Sequence, residues 1–230
     1  NTDKKDVDEQ QQQTEQLLQQ KQQKQQTEQQ QQRQKVKSSL GSYTQIPIQE
    51  ITRSNDAATY DINNTLSPQY CNINNNLVVI QDVLEHTSPA PEIQIPLIVH
   101  QTSRSRCIAQ GFYDNAASWK SLGFEYYFHD DDAMDRLILD HIVPEFPHLP
   151  MVWRNCVVQG AMKADLWRLL VLYEYGGIFA DLDSPPKNFN ISTILNTDQA
   201  LFVVDKDGTA SFHFIAAKPK HPVIQRALHL

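Results

Sequence analysis

One stretch, residues 159–186, constrains the fold more than any other part of the chain: QGAMKADLWRLLVLYEYGGIFADLDSPP. From about Met162 to Tyr175, apolar residues recur at three- and four-residue spacing without Gly or Pro, which predicts a helix. Gly176-Gly177 then ends this helix, because glycine enters the left-handed C-cap conformation without steric cost. The pattern therefore predicts a helix, a glycine turn and a new element after it.

The new element is a short apolar run, 178–180, that leads directly into Asp181-Leu182-Asp183. If it is a strand, alternation places Phe179 and both acids on one face and residues 178, 180 and 182 on the other. Two prolines at 185 and 186 cannot extend a ladder, so the strand must end at the carboxylates. Two acids at the carboxyl end of a strand form a site for Mg²⁺ or Mn²⁺, which prefer oxygen ligands.

Asp165 and Arg168 lie three residues apart in the predicted helix and are therefore neighbours on one face. An exposed ion pair is the simplest interpretation, and such pairs contribute little stability. The alternative places them beside the acid pair, where Arg168 offers a planar fork and Asp165 accepts hydrogen bonds from hydroxyls. The order helix, Gly-Gly, strand, Asp-x-Asp favours the second interpretation.

The segment MKADLWRLLVLYEYGGIFADLDS resembles the sugar-binding, Asp-x-Asp region of glycosyltransferase family 32. Within that family it is most similar to the initiation-specific α-1,6-mannosyltransferases and their relatives. The resemblance runs from about Ile95 to the end of the chain and includes IPLIVHQT and FIAAKPKHPVI. It implies an α/β fold of the GT-A type, which is Rossmann-like, with a mainly parallel sheet between helices.

The resemblance also implies the chemistry: metal-dependent transfer of a sugar, with retention, to a hydroxyl of a glycan, glycoprotein or glycolipid. Mannose from GDP-mannose is the expected donor, and Mn²⁺ or Mg²⁺ the expected cofactor. Asp183 would be the main direct metal ligand. Asp181 would bind the metal through water or hold the ribose or the sugar, and Asp165 and Arg168 would orient the donor sugar.

A second predicted strand, around 97–99, ends at His100-Gln101-Thr102, and the carboxyl end of such a strand is where open α/β sheets bind ligands. A lone histidine is more often structural, but the resemblance makes His100 and Gln101 nucleotide-side positions and adds Gly177 to the substrate-binding set. Related sequences carry Trp where this chain has Ser103, so the nucleotide base does not follow from the sequence.

Composition divides the chain into three parts. Residues 1–39 are rich in Gln and too poor in apolar residues to order themselves, which predicts a disordered stem or spacer, with a coiled coil as the alternative. Residues 40–93 read as a polar, poorly defined linker. Residues 94–230 are predicted to be the GT-A-like domain, incomplete at its carboxyl end. Asn63 and Asn190 each begin a triplet of the N-glycosylation type.

Further elements are predicted within 94–230: a helix at 111–121, strands at 124–128, 200–204 and 212–215, and a helix near the carboxyl end. The strand at 200–204 is expected to be buried. The run of three acids at 130–132 could be a second metal site but is better explained as a helix N-terminal cap. His213 and His221 are candidates for a third metal ligand, which could also lie beyond Leu230.

Charge and cysteine content limit the partners and the compartment. A formal net charge of −7 argues against nucleic-acid binding. Three widely spaced cysteines permit one disulfide but no disulfide framework. The sequence shows neither a membrane span nor a signal peptide. The resemblance implies an enzyme on the lumenal side of the Golgi membrane, with its anchor outside this sequence and the Gln-rich segment as its stem.

Three alternatives remain open. The donor could be a UDP-sugar of another hexose. A phosphatase of the haloacid dehalogenase type also places Asp-x-Asp after an apolar strand, with the first Asp as nucleophile. Ser184-Pro185 and the preceding helix both disfavour that interpretation. The third alternative is a non-catalytic interaction subunit of a glycosyltransferase complex, against which the intact acids at 165, 181 and 183 argue.

Overall fold

The computed structural model describes residues 44–52, 71, 77–83, 93–141, 143–157 and 160–229. The Gln-rich segment predicted at 1–39 and the triplet at Asn63 lie outside the described residues, and so does much of the predicted linker. Contacts group Gln45–Leu230 into one compact unit, and the helices and strands of the described residues lie in this unit.

In chain order, the helices and strands are α1 (Ile48–Thr52), β1 (Leu77–Val79), β2 (Ile98–Thr102), β3 (Cys107–Ala109), α2 (Gln110–Lys120), β4 (Glu125–His129), α3 (Asp131–Asp135) continued by a π-helical turn (Arg136–Asp140), α4 (Leu149–Asn155), α5 (Gly160–Tyr175), β5 (Gly177–Ala180), a 3₁₀ turn (Ile191–Thr193), β6 (Ala200–Val204), β7 (Ala210–Ala217) and α6 (Pro222–Leu228).

Five of the strands form a central sheet in the order β4-β2-β5-β7-β6. Strand β2 pairs in parallel with both β4 and β5, whereas β7 runs antiparallel to β5 and to β6. The sheet is therefore mixed, and the prediction of a mainly parallel sheet holds for only one half of it. The short turn between β6 and β7 accounts for one antiparallel pair, and the position of β7 between β5 and β6 gives the second. A mixed α/β architecture of this kind is compatible with a GT-A fold.

Two hydrophobic clusters cover the two faces of the sheet, and β5 contributes to both. Phe179 lies in the cluster that also contains most of the apolar face of α5. Ile178, Ala180 and Leu182 lie in the other cluster. The predicted alternation of residues 178–182 is therefore confirmed. Ile48 and Ile51 of α1 also pack in the first cluster, so residues of the predicted linker contribute to the core.

The glycine turn between α5 and β5 is confirmed and is tightly packed. Gly176 and Gly177 have φ values of +66° and +93°. A Cβ on Gly176 would lie 2.6 Å from Pro219 Cδ, and one on Gly177 would lie 2.6 Å from the carbonyl oxygen of Ile98. Both the backbone conformation and the space available thus demand glycine. The turn brings β5 against β2 and sets where the chain leaves the sheet, after Ala180.

Two further predictions have clear outcomes. Asp130 caps α3, because its side chain accepts a hydrogen bond from Ala133 N at 2.9 Å, which confirms capping for the acidic run. The expected burial of strand 200–204 is wrong. This strand is β6, which lies at the edge of the sheet, and Phe202, Val203 and Val204 are exposed. An apolar run alone does not distinguish a central strand from an edge strand.

One disulfide joins Cys71 to Cys107, at the start of β3, and Cys156 is free and exposed. This agrees with the single bridge that three cysteines allow. Among the described residues, no helix has the length and apolarity required to cross a bilayer.

Candidate functional site

Arg168 is the centre of the site. It lies on α5, and its side chain is only 7% exposed. Its Nη2 is 2.9 Å from Asp165 Oδ1 and 3.4 Å from Asp181 Oδ1. The predicted pairing of Arg168 with Asp165 is therefore present, and the same guanidinium also reaches the first acid of Asp-x-Asp.

The guanidinium is held in place on its other sides. Nε donates to the carbonyl of Ala164 at 3.3 Å, and Nη1 donates to the carbonyl of Phe212 on β7. The Phe179 ring packs beneath it, with Cζ 4.4 Å from the ring centroid. Lysine offers neither the planar fork nor this stacking, so the site is built for arginine.

Asp181 leaves the sheet directly after β5, and both its backbone and its side chain are fixed. Gln101 Nε2 donates to the Asp181 carbonyl at 3.1 Å, and Tyr126 OH donates to Gln101 Oε1 at 2.8 Å. Asp181 N donates to the carbonyl of His213 at 2.8 Å. Burial raises the pKa of the Asp181 carboxyl, and Asp183 and Asp165 raise it further, while Arg168 opposes the shift.

Asp183 lies in a turn beyond the strand, and its side chain is exposed. The turn is closed by a hydrogen bond from Ser184 N to the Asp181 carbonyl at 2.9 Å. Helix α2 supports it from one side, since Trp119 Nε1 donates to the Ser184 carbonyl at 2.8 Å. The second acid is thus presented to solvent on a braced turn.

Two clefts are lined by residues close in sequence to this group. The strand-end cleft has a volume of about 400 Å³ and lies where β2 ends, against the first turns of α3 and α5; its lining residues are Thr102, Ser103, Arg104, Asp131, Met134, Gly160, Lys163 and Ala164. The hairpin cleft has a volume of about 420 Å³ and lies beside the β6–β7 hairpin; it is lined by Trp119, Asp183, Ser184, Pro185, Pro186, Lys187, Phe189, Val203, His213 and Phe214.

Arg168 is hydrogen-bonded to a lining residue of one cleft and to a chain neighbour of a lining residue of the other. It bonds to the carbonyl of Ala164, which lines the strand-end cleft. It also bonds to the carbonyl of Phe212, next to His213 in the hairpin cleft. The first of these clefts also has two cationic lining side chains, Arg104 and Lys163, and the second is lined by Asp183.

His100 and Gly177 lie away from the acids. The His100 ring is fully buried and donates from Nε2 to the Gly176 carbonyl at 2.9 Å, so its Nδ1 accepts from His129 Nε2 at 3.2 Å. Burial lowers the pKa of His100 to about 4, so the ring is neutral near pH 7. Gly177 is buried against Ile98. The structure brings Gln101 to Asp181, whereas Gly177 forms part of the glycine turn and His100 is bonded to that turn.

The two histidines predicted as third ligands have different surroundings. His213 lines the hairpin cleft together with Asp183, and its Nδ1 pairs with the Ser211 hydroxyl. His221 caps α6, where its Nδ1 accepts from Val223 N at 3.3 Å. In the described part of the chain, no three His, Cys, Asp or Glu side chains are arranged to hold a metal ion.

The donor set of Asp181 and Asp183 nevertheless fits a hard divalent cation. Mg²⁺ at phosphate-transferring sites is commonly bound by one or two carboxylates, with phosphate oxygens and water completing its coordination. Two acids are sufficient protein ligands for such a cation when a diphosphate supplies further oxygen ligands. Either acid can supply carboxylate oxygens, although Arg168 already occupies one side of Asp181.

Comparison with known proteins agrees with this geometry. Residues 112–207 match the family described as glycosyltransferase sugar-binding region containing DXD motif. This part of the chain is therefore similar to the DXD-containing region of glycosyltransferases. The matched residues include Asp165, Arg168, Asp181 and Asp183, and the resemblance found in the sequence is confirmed there.

Two curated relatives of the DXD region come from Schizosaccharomyces pombe. Inositol phosphoceramide mannosyltransferase 1 is 26% identical over 159 residues, which cover 65% of this chain and 47% of that protein. Inositol phosphoceramide mannosyltransferase 3 is 27% identical over 117 residues, which cover 50% of this chain and 32% of that protein. The matched part of the chain thus spans less than half the length of either relative, and both are mannosyltransferases, as the resemblance implied.

Several residues of the DXD region escaped the sequence analysis. Tyr126 holds Gln101, Phe179 supports Arg168, and Lys163 lines the strand-end cleft. Tyr126 lies in the run EYYFH, which the sequence predicts to be a buried strand. A buried hydroxyl needs a hydrogen-bond partner, so a partner for Tyr126 could have been predicted. The role of Tyr126 is therefore indicated by the sequence. The roles of Phe179 and Lys163 are not, because they depend on contacts that form only in the folded chain.

Proposed function

We propose that this protein transfers a sugar from a nucleotide-sugar to a hydroxyl in a reaction that depends on a divalent cation. The observation that carries the proposal is the position of Asp181 and Asp183. Both acids lie just beyond the carboxyl end of β5, Asp183 lines the hairpin cleft, and Arg168 orients Asp181 at 3.4 Å. Ligands of open α/β sheets bind at this end of the strands.

The nucleotide diphosphate of the donor would occupy the strand-end cleft. Arg104 and Lys163 both line it, so it offers positive charge for phosphate oxygens. Ala164, the residue before Asp165, is among its lining residues. A donor bound there would have its sugar close to Asp165 and Arg168, which can accept from and donate to sugar hydroxyls, respectively.

Mn²⁺ or Mg²⁺ held by Asp183, with Asp181 directly or through water, would neutralise charge on the departing diphosphate. The residues of the chain prepare this step. Gln101 and Tyr126 fix the backbone of Asp181, and Arg168 orients its carboxylate, so this acid is held in place before the donor arrives. Preorganised charge of this kind needs little rearrangement during reaction.

Mannose from GDP-mannose is the donor we propose, because both relatives are named as mannosyltransferases. Their names also specify inositol phosphoceramide, which supports a glycolipid acceptor for this chain. We further propose that the reaction retains the anomeric configuration and takes place on the lumenal side of the Golgi membrane. The Cys71–Cys107 disulfide supports such an oxidising compartment.

The test is a panel of GDP-mannose, UDP-galactose and UDP-glucose, incubated with the purified protein and either Mn²⁺, Mg²⁺ or EDTA. We expect hydrolysis or transfer with GDP-mannose only when a cation is present, and loss of this activity in Asp183→Asn. Asp132→Asn is the matched control, because Asp132 is also an exposed acid but lies on α3. Phosphate release from a simple monoester, without nucleotide-sugar turnover, would instead identify a phosphatase.

A further inference from the structure

The loop between β5 and β6 contains a triplet, Asn190-Ile191-Ser192, that the proposed function does not use. Asn190 is the N-cap of the 3₁₀ turn Ile191–Thr193. All three residues of the triplet belong to the described part of the chain, whereas the similar triplet at Asn63 lies outside it. The contacts of Asn190 therefore show how this side chain is presented.

Apolar neighbours anchor the loop and turn Asn190 toward solvent. Phe189 and Ile191 pack against the hydrophobic cluster that contains Ile178, and Ile194 is buried in the same cluster. Asn190 lies between the first two anchors in an extended conformation, with φ −153° and ψ 178°. Because an extended residue points its side chain away from those of its two neighbours, Asn190 faces outward, and it is exposed.

The hydrogen bonds of the Asn190 side chain are made by its oxygen. Oδ1 accepts from the backbone N of Ser192 at 2.9 Å and from the Ser192 hydroxyl at 2.5 Å. In the described part of the chain, no residue accepts a hydrogen bond from Asn190 Nδ2. The amide nitrogen of an exposed asparagine is thus left to water or to a covalent partner.

This arrangement matches the acceptor for an N-linked glycan in residue type, spacing and exposure. Such an acceptor is an asparagine in a surface loop, followed by any residue except proline and then by serine or threonine. Ile191 fills the middle position, and the hydroxyl of the third position belongs to Ser192, which already contacts the Asn190 amide. We propose that Asn190 carries an N-linked oligosaccharide.

The modification joins Nδ2 of Asn190 to C1 of the first sugar of the oligosaccharide. The donor is an oligosaccharide on a polyisoprenyl diphosphate, and the bond from C1 to the diphosphate oxygen breaks. The diphosphate leaves with the electron pair of that bond, and the proton that Nδ2 loses balances its charge. The inference rests on the proposed lumenal location, but it does not depend on the transferase activity.

A glycan at Asn190 is compatible with the rest of the fold. The apolar side chains that anchor the loop keep their contacts, since the glycan leaves from the opposite side. Phe189 also lines the hairpin cleft, so the glycan begins at the residue next to one that lines this cleft. A bulky, hydrated group attached there covers surface without entering the core.

Site occupancy is tested on the full chain, secreted from a eukaryotic host behind a cleavable signal sequence. Asn63→Gln removes the other triplet, so an N-linked glycan on this variant has to be at Asn190. We expect an N-glycanase to increase the electrophoretic mobility of the variant and to deamidate residue 190, which peptide mass spectrometry detects. An unchanged mobility and an unmodified peptide, in protein whose Cys71–Cys107 bridge has formed, would overturn the inference.

Substitutions at the third position of the triplet keep the asparagine itself. In the Asn63→Gln background, Ser192→Ala should remove the glycan completely, whereas Ser192→Thr retains a hydroxyl and should keep it. Asn196→Gln is the matched control, because Asn196 is an exposed asparagine of the same loop that is followed by Thr197-Asp198. A glycan that survives in Ser192→Ala, or that is lost from Asn196→Gln, would contradict the assignment.

Protein isolated from the cells that make it separates this inference from the proposals around it. A formed bridge between Cys71 and Cys107 without a glycan at Asn190 would refute the site alone. Absence of both the bridge and the glycan would refute the lumenal location as well. Donor turnover by protein from which the glycan has been removed reports the transferase activity separately.

Discussion

The guanidinium of Arg168 and the carboxylate of Asp181 meet across the boundary between a helix and a strand, with Nη2 and Oδ1 3.4 Å apart. They are separated by the whole glycine turn, so the contact exists only because the turn folds β5 back beside α5. The same Nη2 is 2.9 Å from Asp165 Oδ1. One arginine thus links the successive parts of the motif, Ala-Asp, Arg and Asp-x-Asp, into a single group of charges.

This arrangement predicts that Arg168→Lys is not a conservative change. Lysine cannot reproduce the contacts to Ala164, Phe212 and Asp181 with one ammonium, so Asp181 would lose its orientation. We expect kcat/KM for donor turnover to fall on the order of 10- to 100-fold and the free energy of unfolding to fall by about 1 to 3 kcal/mol. Both are measured against Arg154→Lys, an exposed arginine of α4.

The glycine turn predicts a large effect from a single methyl group. Gly177→Ala would place a Cβ 2.6 Å from the Ile98 carbonyl oxygen in a residue with a φ of +93°. We expect a loss of about 2 kcal/mol or more in the free energy of unfolding, measured in urea. Gly111→Ala is the control. It has open space around it in α2 and should change stability by at most about 1 kcal/mol, in the stabilising direction. Similar losses in both variants would contradict the packing argument.

The central part of the site could be predicted because its signals are local in sequence. Helix periodicity, the glycine pair and the alternation of 178–182 each depend on neighbouring residues, and α5, the turn and β5 agree with them. The capping role of the acidic run at 130–132 is also local in sequence. A cap acts within a single helical turn, so neighbouring residues are enough to predict it.

The rest depends on which strands become neighbours, and no local pattern specifies that. The direction of β7 relative to β5 makes the sheet mixed, and the edge position of β6 exposes residues that look like core. Likewise, His100 follows a buried strand as expected, yet its neighbours turn its ring toward His129 and the glycine turn. Only the pairing of β2 with β5 reveals that Gln101, and not His100, contacts Asp181.

The buried histidine pair predicts how stability depends on pH. Burial lowers the pKa of His100 to about 4, and burial together with the nearby His100 and arginine charges lowers the pKa of His129 well below its usual value. Below about pH 6.5 the unfolded chain therefore binds protons that the folded chain does not, so stability falls as pH decreases. Between pH 7 and 5.5 we expect each histidine to remove about 1 kcal/mol from the free energy of unfolding.

Urea unfolding at both pH values measures this fall, with His148→Asn as the control because His148 is exposed. The control should show the same pH dependence as the wild-type protein. His129→Asn should show a smaller one. A wild-type free energy of unfolding that stays constant or rises between pH 7 and 5.5 would show that the pair is not neutral inside the fold.

The disulfide between Cys71 and Cys107 predicts a redox-dependent stability. It closes a loop of 36 residues, and the loss of chain entropy in the unfolded state for such a loop corresponds to about 3 to 4 kcal/mol. Cys107→Ser should therefore lower the free energy of unfolding by that amount under oxidising conditions, and reductant should have no further effect on it. Cys156→Ser, which removes the exposed free thiol, should leave stability unchanged. Mass spectrometry of peptides prepared without reductant should find residues 71 and 107 joined, and a linkage through Cys156 would contradict the assignment.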